Sequence, residues 1–224
     1  MEVKFLGQSG FCLRDGAHEV LVDPFLSGNP VAKDAPESFS PSHILLSHAH
    51  GDHTSDTEAI ARRAGATVVS SAEIAGYYTA KGLSAHGMNV GGSYQFAFGR
   101  VKFTPAWHSS SFPDGTYGGM PMGILIDIGG RRLYHAGDTG LFSDMQLIGE
   151  MGLDVAMLPI GDNFTMGPED AVRAAQLLKA KTIVPMHYNT FDLIKQDGAA
   201  FKADVERDTQ SACVVLDPGQ SIEV

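Results

Sequence analysis

The chain has 224 residues, 43% of them hydrophobic and 19% charged, with a formal net charge of −10. This is a globular composition long enough for a substantial core, and its acidic balance argues against nucleic acid as a main partner, because phosphate backbones are held by clustered Lys and Arg. The first residues lack a signal peptide's apolar core and no stretch reaches membrane-spanning length, so the expectation is a soluble cytoplasmic protein with no membrane partner.

Three short strands come first, Val3–Leu6, Phe11–Arg14 and Glu19–Val22, broken by Gly7-Gln8-Ser9-Gly10 and Asp15-Gly16; Gly and Asp mark such turns because they tolerate positive φ. Cys12, in the second strand, and Cys213 are the only cysteines, and both read as small buried hydrophobes rather than a disulfide. The third strand ends at Asp23-Pro24. Residues 26–42, with Pro30, Pro36 and Pro41, read as a loop rimming a site. An apolar run from His43 then predicts a buried strand, followed by His48-Ala49-His50-Gly51-Asp52-His53. Ser55 and Glu58 have capping-box spacing for a helix from about Ser55 to Ala64. Thr67–Ser70 reads as strand and Ala72–Lys81 as helix, closed by Gly82.

Two alternating strands joined at Gly99-Arg100 occupy Ser93 to Thr104 and lead to Trp107-His108. Residues 109–120 form a second candidate rim loop. Gly123–Ile128 and Arg131–His135 make a hairpin that ends at Gly137-Asp138, and Ser143 with Gln146 predicts another helix cap. After the strand Val155–Ile160 and the word Gly161-Asp162-Asn163-Phe164-Thr165-Met166, Pro168 opens a helix to Lys179 with Glu169 and Asp170 at its positive end. Thr182–Met186 is a strand delivering His187-Tyr188; residues 198–207 read as helix and Ala212–Leu216 as a last strand. With no linker, low-complexity tract or sequence repeat, residues 1–224 read as one domain.

The chemistry concentrates in His48–His53. Imidazole suits Zn, Fe and related metals, and a carboxylate beside it widens the choice toward Mn. His48 and His50 are two apart and point the same way in extended backbone. Asp52 and His53 follow Gly51, which permits a sharp turn, so they can project toward a second ion. His18 and His86 carry no motif and read as surface histidines.

The pattern His48-x-His50-x-Asp52-His53 resembles the signature of the metallo-β-lactamase superfamily, and the resemblance covers essentially the whole chain. Words such as Gly161–Met166 and His187-Tyr188-Asn189-Thr190-Phe191 look like its short metal-dependent hydrolases related to L-ascorbate-6-phosphate lactonase. The resemblance implies a mixed α/β fold, a four-layer αββα sandwich. It also implies His48, His50 and His108 on one divalent ion and Asp52, His53 and His187 on another. Asp138 would bridge the two ions with its two oxygens. Asp52 and Asp138 are then the carboxylates expected at the centre of catalysis. An open position on each ion marks a catalytic site, and two ions about 3.5–4 Å apart share a hydroxide formed near neutral pH. The ions would be Zn, with Mn or Fe open, and the substrate a small ester, lactone or phosphodiester metabolite. Asp23 is either a brace for the metal loop or a strand-ending turn residue; His135 is either a support for the site or a structural core residue. Asp162 and Tyr188 are candidate substrate contacts, against a turn cap and a packing ring. A metal-bound sensor or binding module without turnover is the alternative, and a homo-oligomer is compatible with the sequence.

Overall fold

A computed structural model describes residues 1–224. Two seven-stranded sheets face each other. The first is built from β1 (Glu2–Gly7), β2 (Gly10–Asp15), β3 (His18–Val22), β4 (His43–Leu45), β5 (Thr67–Ser71) and β6 (Ala85–Met88), with β14 (Ser221–Glu223) added beside β1. The second runs β13-β12-β11-β10-β9-β8-β7, where β7 is Ser93–Phe96, β8 Gly99–Pro105, β9 Met122–Ile128, β10 Arg131–His135, β11 Val155–Pro159, β12 Thr182–Met186 and β13 Ala212–Cys213. Each sheet starts as an antiparallel meander and continues as parallel strands: β3 to β6 in the first, β10 to β13 in the second.

Alternation along the strands decides the layering. Val3, Phe5, Leu13, Val20 and Val22 of the first sheet meet Val101, Phe103, Ile124, Ile126 and Leu133 of the second in a central apolar cluster. The residues between them on the same strands point outward and are covered by helices. Leu21, Ile44 and Val68 pack under α2 (Thr57–Ala64) and α3 (Ala72–Ala80). Ala156, Leu158 and Ile183 pack under α4 (Met145–Gly149), α5 (Pro168–Leu178) and α6 (Gly198–Asp208). The result is the four-layer αββα sandwich of the metallo-β-lactamase fold. Cys12 lies in the outer cluster of the first sheet and Cys213 in that of the second, so both are free and buried on opposite sides of the molecule. No helix is long and apolar enough to cross a membrane.

Several local expectations change. Ser55 does not cap α2: it closes a one-turn helix, α1 (Gly51–Thr54), and its hydroxyl donates to Asp56, which precedes α2. The Asp56 carboxylate is drawn away by the backbone N–H groups of Leu26 and Ser27, at 2.7 and 2.9 Å. Ser143 likewise donates to Asp144 instead of capping α4. The turn between β7 and β8 falls at Ala97-Phe98, ahead of Gly99. The strand expected over Ala212–Leu216 is only Ala212–Cys213, and it is not the last: the chain then crosses to pair β14 with β1. His86 lies in β6, not on an open surface; its ring packs 4.3 Å from Tyr94 and 5.2 Å from Phe96. The 26–42 loop packs with Leu26 and Phe39 against the outer helix layer of the first sheet and supplies no wall of the cleft described below.

Candidate metal centre

Parallel strands present their C-terminal ends to one side, and the polar residues expected at a metal site gather there. β4 leads through Leu46 and Ser47 to His48. His50 remains extended (φ −62°, ψ 150°) and forms the N-cap of α1, so Gly51 opens a helical turn that carries Asp52 and His53. β8 leads to His108, β10 to Asp138 and β12 to His187. Gly137 precedes Asp138 at φ +63°, where a Cβ would sit 2.7 Å from the Met122 carbonyl oxygen; only glycine fits that approach.

The structure brings all seven expected residues together. Ligand atoms of His48, His50 and His108 form one group and those of Asp52, His53, Asp138 and His187 a second, within each of which all atoms lie inside 4.8 Å of one another. His48 Nε2 and His50 Nδ1 are 3.0 Å apart. His53 Nε2 and His187 Nε2 each lie 3.6 Å from Asp52 Oδ2. One oxygen of Asp138 faces both groups: Oδ2 is 3.0 Å from His187 Nε2, 3.3 Å from His53 Nε2, 3.6 Å from His108 Nε2 and 3.9 Å from His48 Nε2. The sequence expectation had divided that role between two oxygens; here Oδ1 is buried without a hydrogen-bond partner.

Hydrogen bonds from behind set the ring orientations. Asp23 Oδ2 accepts from His53 Nδ1 at 2.8 Å and from the Ser47 hydroxyl, while Asp23 Oδ1 accepts from Ser47 N at 2.8 Å. With its own hydrogen committed to Asp23, Ser47 Oγ accepts from His48 Nδ1 at 3.0 Å. Both rings are thereby held with Nδ1 on this support and Nε2 turned into the cluster. A third grouping of Asp23, His48 and His53 is geometrically close, but Asp23 is fully occupied by these bonds. His135 is buried; its Nε2 donates to the Ser9 carbonyl at 2.8 Å and its Nδ1 accepts from Gly137 N at 3.2 Å. It ties the first turn of the chain to the segment carrying Asp138 and has no proton to offer a substrate.

Burial holds His48 well below the ordinary imidazole range, and His50 and His108 are lowered for the same reason. His53 goes the other way: burial opposes its charge, but the carboxylates of Asp138, Asp52 and Asp23 outweigh burial and raise it well above normal. His187 is raised to about 9, again against burial, chiefly by Asp138. Burial likewise disfavours ionised Asp138 and Asp52, and neighbouring His187 and His53 more than compensate, so both carboxyls are held low.

Seven imidazole and carboxylate donors converge on a few ångströms, and buried His53 Nε2 and Asp138 Oδ1 have no hydrogen-bond partner. Buried polar atoms of this kind are ordinarily paired, and an imidazole–carboxylate set suits divalent transition ions. The residues fit a metal.

The centre opens into a cleft of about 420 Å³ lined by Gln8, His50, Asp52, His108, Ser109, Asp138, Phe164, His187 and Phe191. Asp162 is not among them: at φ +60° it holds a turn, its N–H donating to the Met166 carbonyl and its carbonyl accepting from Thr165 N. Tyr188 is absent too; its ring packs toward the helix layer of the second sheet, and burial pushes its hydroxyl up to about 12. Sequence reasoning overlooked Gln8. Its side-chain Nε2 donates to Asp52 Oδ2 at 2.8 Å, and its backbone carbonyl accepts from His187 N at 2.6 Å. Its only sequence mark is a place inside a Gly-rich turn. Ser109, whose Oγ is 3.3 Å from His50 Nε2, opens the expected rim loop 109–120, and Phe164 and Phe191 stand in the two words that carried the resemblance, although none of the three was singled out by role.

A facing-sheet sandwich with such a cluster at its strand ends is the architecture of a metallo-β-lactamase-type metalloprotein, and the relatives make this chain a metal-dependent hydrolase. The chain belongs to the β-lactamase superfamily, whose "Beta-lactamase superfamily domain" matches residues 18–188, and within it to the UPF0173 metal-dependent hydrolases. It is 54% identical over 224 residues to a UPF0173 metal-dependent hydrolase of Thermus thermophilus, covering 100% of this chain and 99% of that one. Identity to the Deinococcus radiodurans relative is 52% over 228 residues, covering both chains fully. Among solved structures it resembles Igni18, a metallo hydrolase from Ignicoccus hospitalis, with TM-score 0.91 and 38% identity over 99% of this chain and 97% of that one.

Proposed function

We propose that the chain hydrolyses a small ester, lactone or phosphodiester metabolite at a dinuclear centre. His48, His50 and His108 would hold one divalent ion, Asp52, His53 and His187 the other, with Asp138 shared. The observation that carries this reading is the position of Asp138 Oδ2, within 3.9 Å of imidazole nitrogens from both groups. Ions held there supply an acidified water and a Lewis acid for the oxygen that becomes negative in the transition state. The protein's part is to fix donors in advance: Asp23 and Ser47 lock two rings, and Gln8 holds Asp52 and His187. Asp52, whose side chain is 27% exposed against 3% for Asp138, is the carboxylate open enough to take a proton from the attacking water. With His135 committed on both nitrogens, the proton that Asp52 takes from the water would be the one passed on to the departing oxygen.

Elemental analysis of protein prepared without chelator, together with turnover of 4-nitrophenyl acetate and bis(4-nitrophenyl) phosphate, tests the proposal. The expected result is about two ions per chain and turnover abolished by chelator and restored by Zn, Mn or Fe. One ion or fewer after reconstitution defeats the dinuclear centre; full loading without turnover of either compound defeats the hydrolytic reading.

A further inference from the structure

Five of the nine residues lining the cleft are the proposed ligands His50, Asp52, His108, Asp138 and His187, which leaves Gln8, Ser109, Phe164 and Phe191 to meet the body of a substrate. Gln8 is engaged with Asp52, and Ser109 lies against His50. The walls that remain are two phenyl rings. Neither is a stray surface residue. Phe191 is 40% exposed, yet its other side rests on Phe25 in a stacked pair with centroids 6.4 Å apart. Its loop is cross-tied, with Asn189 pairing both ways to Gln196 (Nδ2 to the carbonyl at 3.0 Å, Oδ1 from the N–H at 2.9 Å) and Ile194 N donating to the Phe191 carbonyl. Phe164 is 52% exposed on a turn where Asp162 and Asn163 both adopt left-handed backbone, at φ +60° and +44°. Rigid turns that hold aromatic rings in water beside a reactive centre are the usual build of a substrate wall.

The charge pattern points the same way. Recognition of a phosphomonoester dianion calls for Arg or Lys in bidentate or point contact, and no Arg or Lys lines the cleft of this −10 chain, whose three lining histidines are proposed metal ligands. The positive charge of bound ions would be spent on the scissile group.

We propose that the cleft selects carboxylic esters, open or cyclic, with an uncharged apolar body gripped by Phe164 and Phe191, and discriminates against phosphorylated ones. This rests on the hydrolytic reading above and narrows it. In the reaction the oxygen of water bonds to the acyl carbon and the bond from that carbon to the alkoxy oxygen breaks. One water proton goes to the departing oxygen, and the new carboxylic acid ionises, releasing the other.

The test compares 4-nitrophenyl hexanoate with its ω-phosphorylated analogue, two esters with the same scissile bond, on metal-loaded wild type, Phe164→Ala and Phe191→Ala. Calorimetric binding of the uncleavable N-(4-nitrophenyl)hexanamide and of its ω-phosphorylated form runs alongside. The neutral ester should be favoured about tenfold or more in kcat/KM, and each Phe→Ala should raise its KM about tenfold with little change in kcat, the mark of lost apolar contact rather than lost chemistry. The neutral amide should bind more tightly than the phosphorylated one and weaken equally in both variants. Preference for the phosphorylated ester or amide, or Phe variants with wild-type KM and amide affinity, overturns the proposal. Fully loaded protein that cleaves neither ester defeats the hydrolytic reading alone, and the amide affinities then decide the substrate class.

Discussion

Asp23 Oδ2 lies 2.8 Å from His53 Nδ1, and neither side chain reaches solvent. The same carboxylate orients His48 through the Ser47 hydroxyl, so one residue outside the cluster fixes a ring in each donor group. Asp23→Asn keeps the shape but loses the charge and can offer an N–H where His53 needs an acceptor. Metal affinity should fall about 10–100-fold at both positions. Titration with Zn into chelator-stripped protein reads this directly; wild-type affinity in Asp23→Asn would show that the rings orient themselves.

Gln8 touches only the Asp52–His187 side. Gln8→Ala should therefore weaken one ion by about tenfold and leave the three-histidine position at wild-type affinity, giving a two-step Zn isotherm. Gln8→Glu should be worse than Gln8→Ala, because it sets a second carboxylate against Asp52. Equal weakening of both steps would mean the turn supports the fold rather than one position.

The periodicities marked most strands and helices, while their arrangement in four layers rested on the resemblance to the metallo-β-lactamase superfamily, because pattern alone is compatible with other α/β layerings. Val3/Phe5 and Leu13 alternate with outward residues, and Pro168-Glu169-Asp170 opens α5 in the structure as its local chemistry implies. Strands β6 and β14 were not legible. Ala85–Met88 contains a glycine and a half-buried histidine, and it is strand because β5 pairs with it and Tyr94 and Phe96 cover His86; such tertiary support overrides weak propensity. The caps at Ser55 and Ser143 failed because a neighbouring aspartate competed for each hydroxyl. At the centre, the close motif from His48 to His53 announces itself, whereas Gln8 acts on Asp52 across 44 residues, a contact no local pattern encodes. His18 and His86 were separable from the cluster by context, and the structure keeps both out of it. His86→Ala should leave metal content unchanged, while His187→Ala should empty one position; matching losses in the two variants would overturn that separation.

Proton linkage gives a pH signature for the metal-free protein. His187 is raised to about 9 and His53 is raised as well, both above the ordinary imidazole value of about 6.5. A group whose folded pKa is raised contributes stability that is complete below its unfolded value and disappears as pH climbs through the folded one. The melting temperature of chelated protein should therefore fall between about pH 6.5 and pH 9. Metal displaces these protons, so the loaded protein should lack that decline and bind its ions more tightly as pH rises. A chelated protein whose melting temperature stays level or rises from about pH 6.5 to pH 9 would remove the carboxylates as the cause of the shifts.

Asp138 supplies the sharpest test of a shared centre, because a single oxygen, Oδ2, faces imidazoles of both groups while Oδ1 is buried without a partner. Asp138→Asn is nearly isosteric, so packing around a residue only 3% exposed survives. What changes is charge: an amide oxygen in the Oδ2 place is a weaker donor and no longer offsets repulsion between two dications. Loading should weaken, with the position of His48, His50 and His108 retained longer than the one that relies on Asp52, His53 and His187. Turnover should fall by about three orders of magnitude if, as proposed, two ions acidify the attacking water together. The chelated variant should still fold, and the loaded variant should gain less on melting than wild type does, by the lost linkage of metal binding to the native state. Metal quantitation, melting and hydrolysis of 4-nitrophenyl acetate at saturating Zn read all three. Two bound ions with wild-type turnover in Asp138→Asn would show that the oxygen between the groups is not shared by the metals.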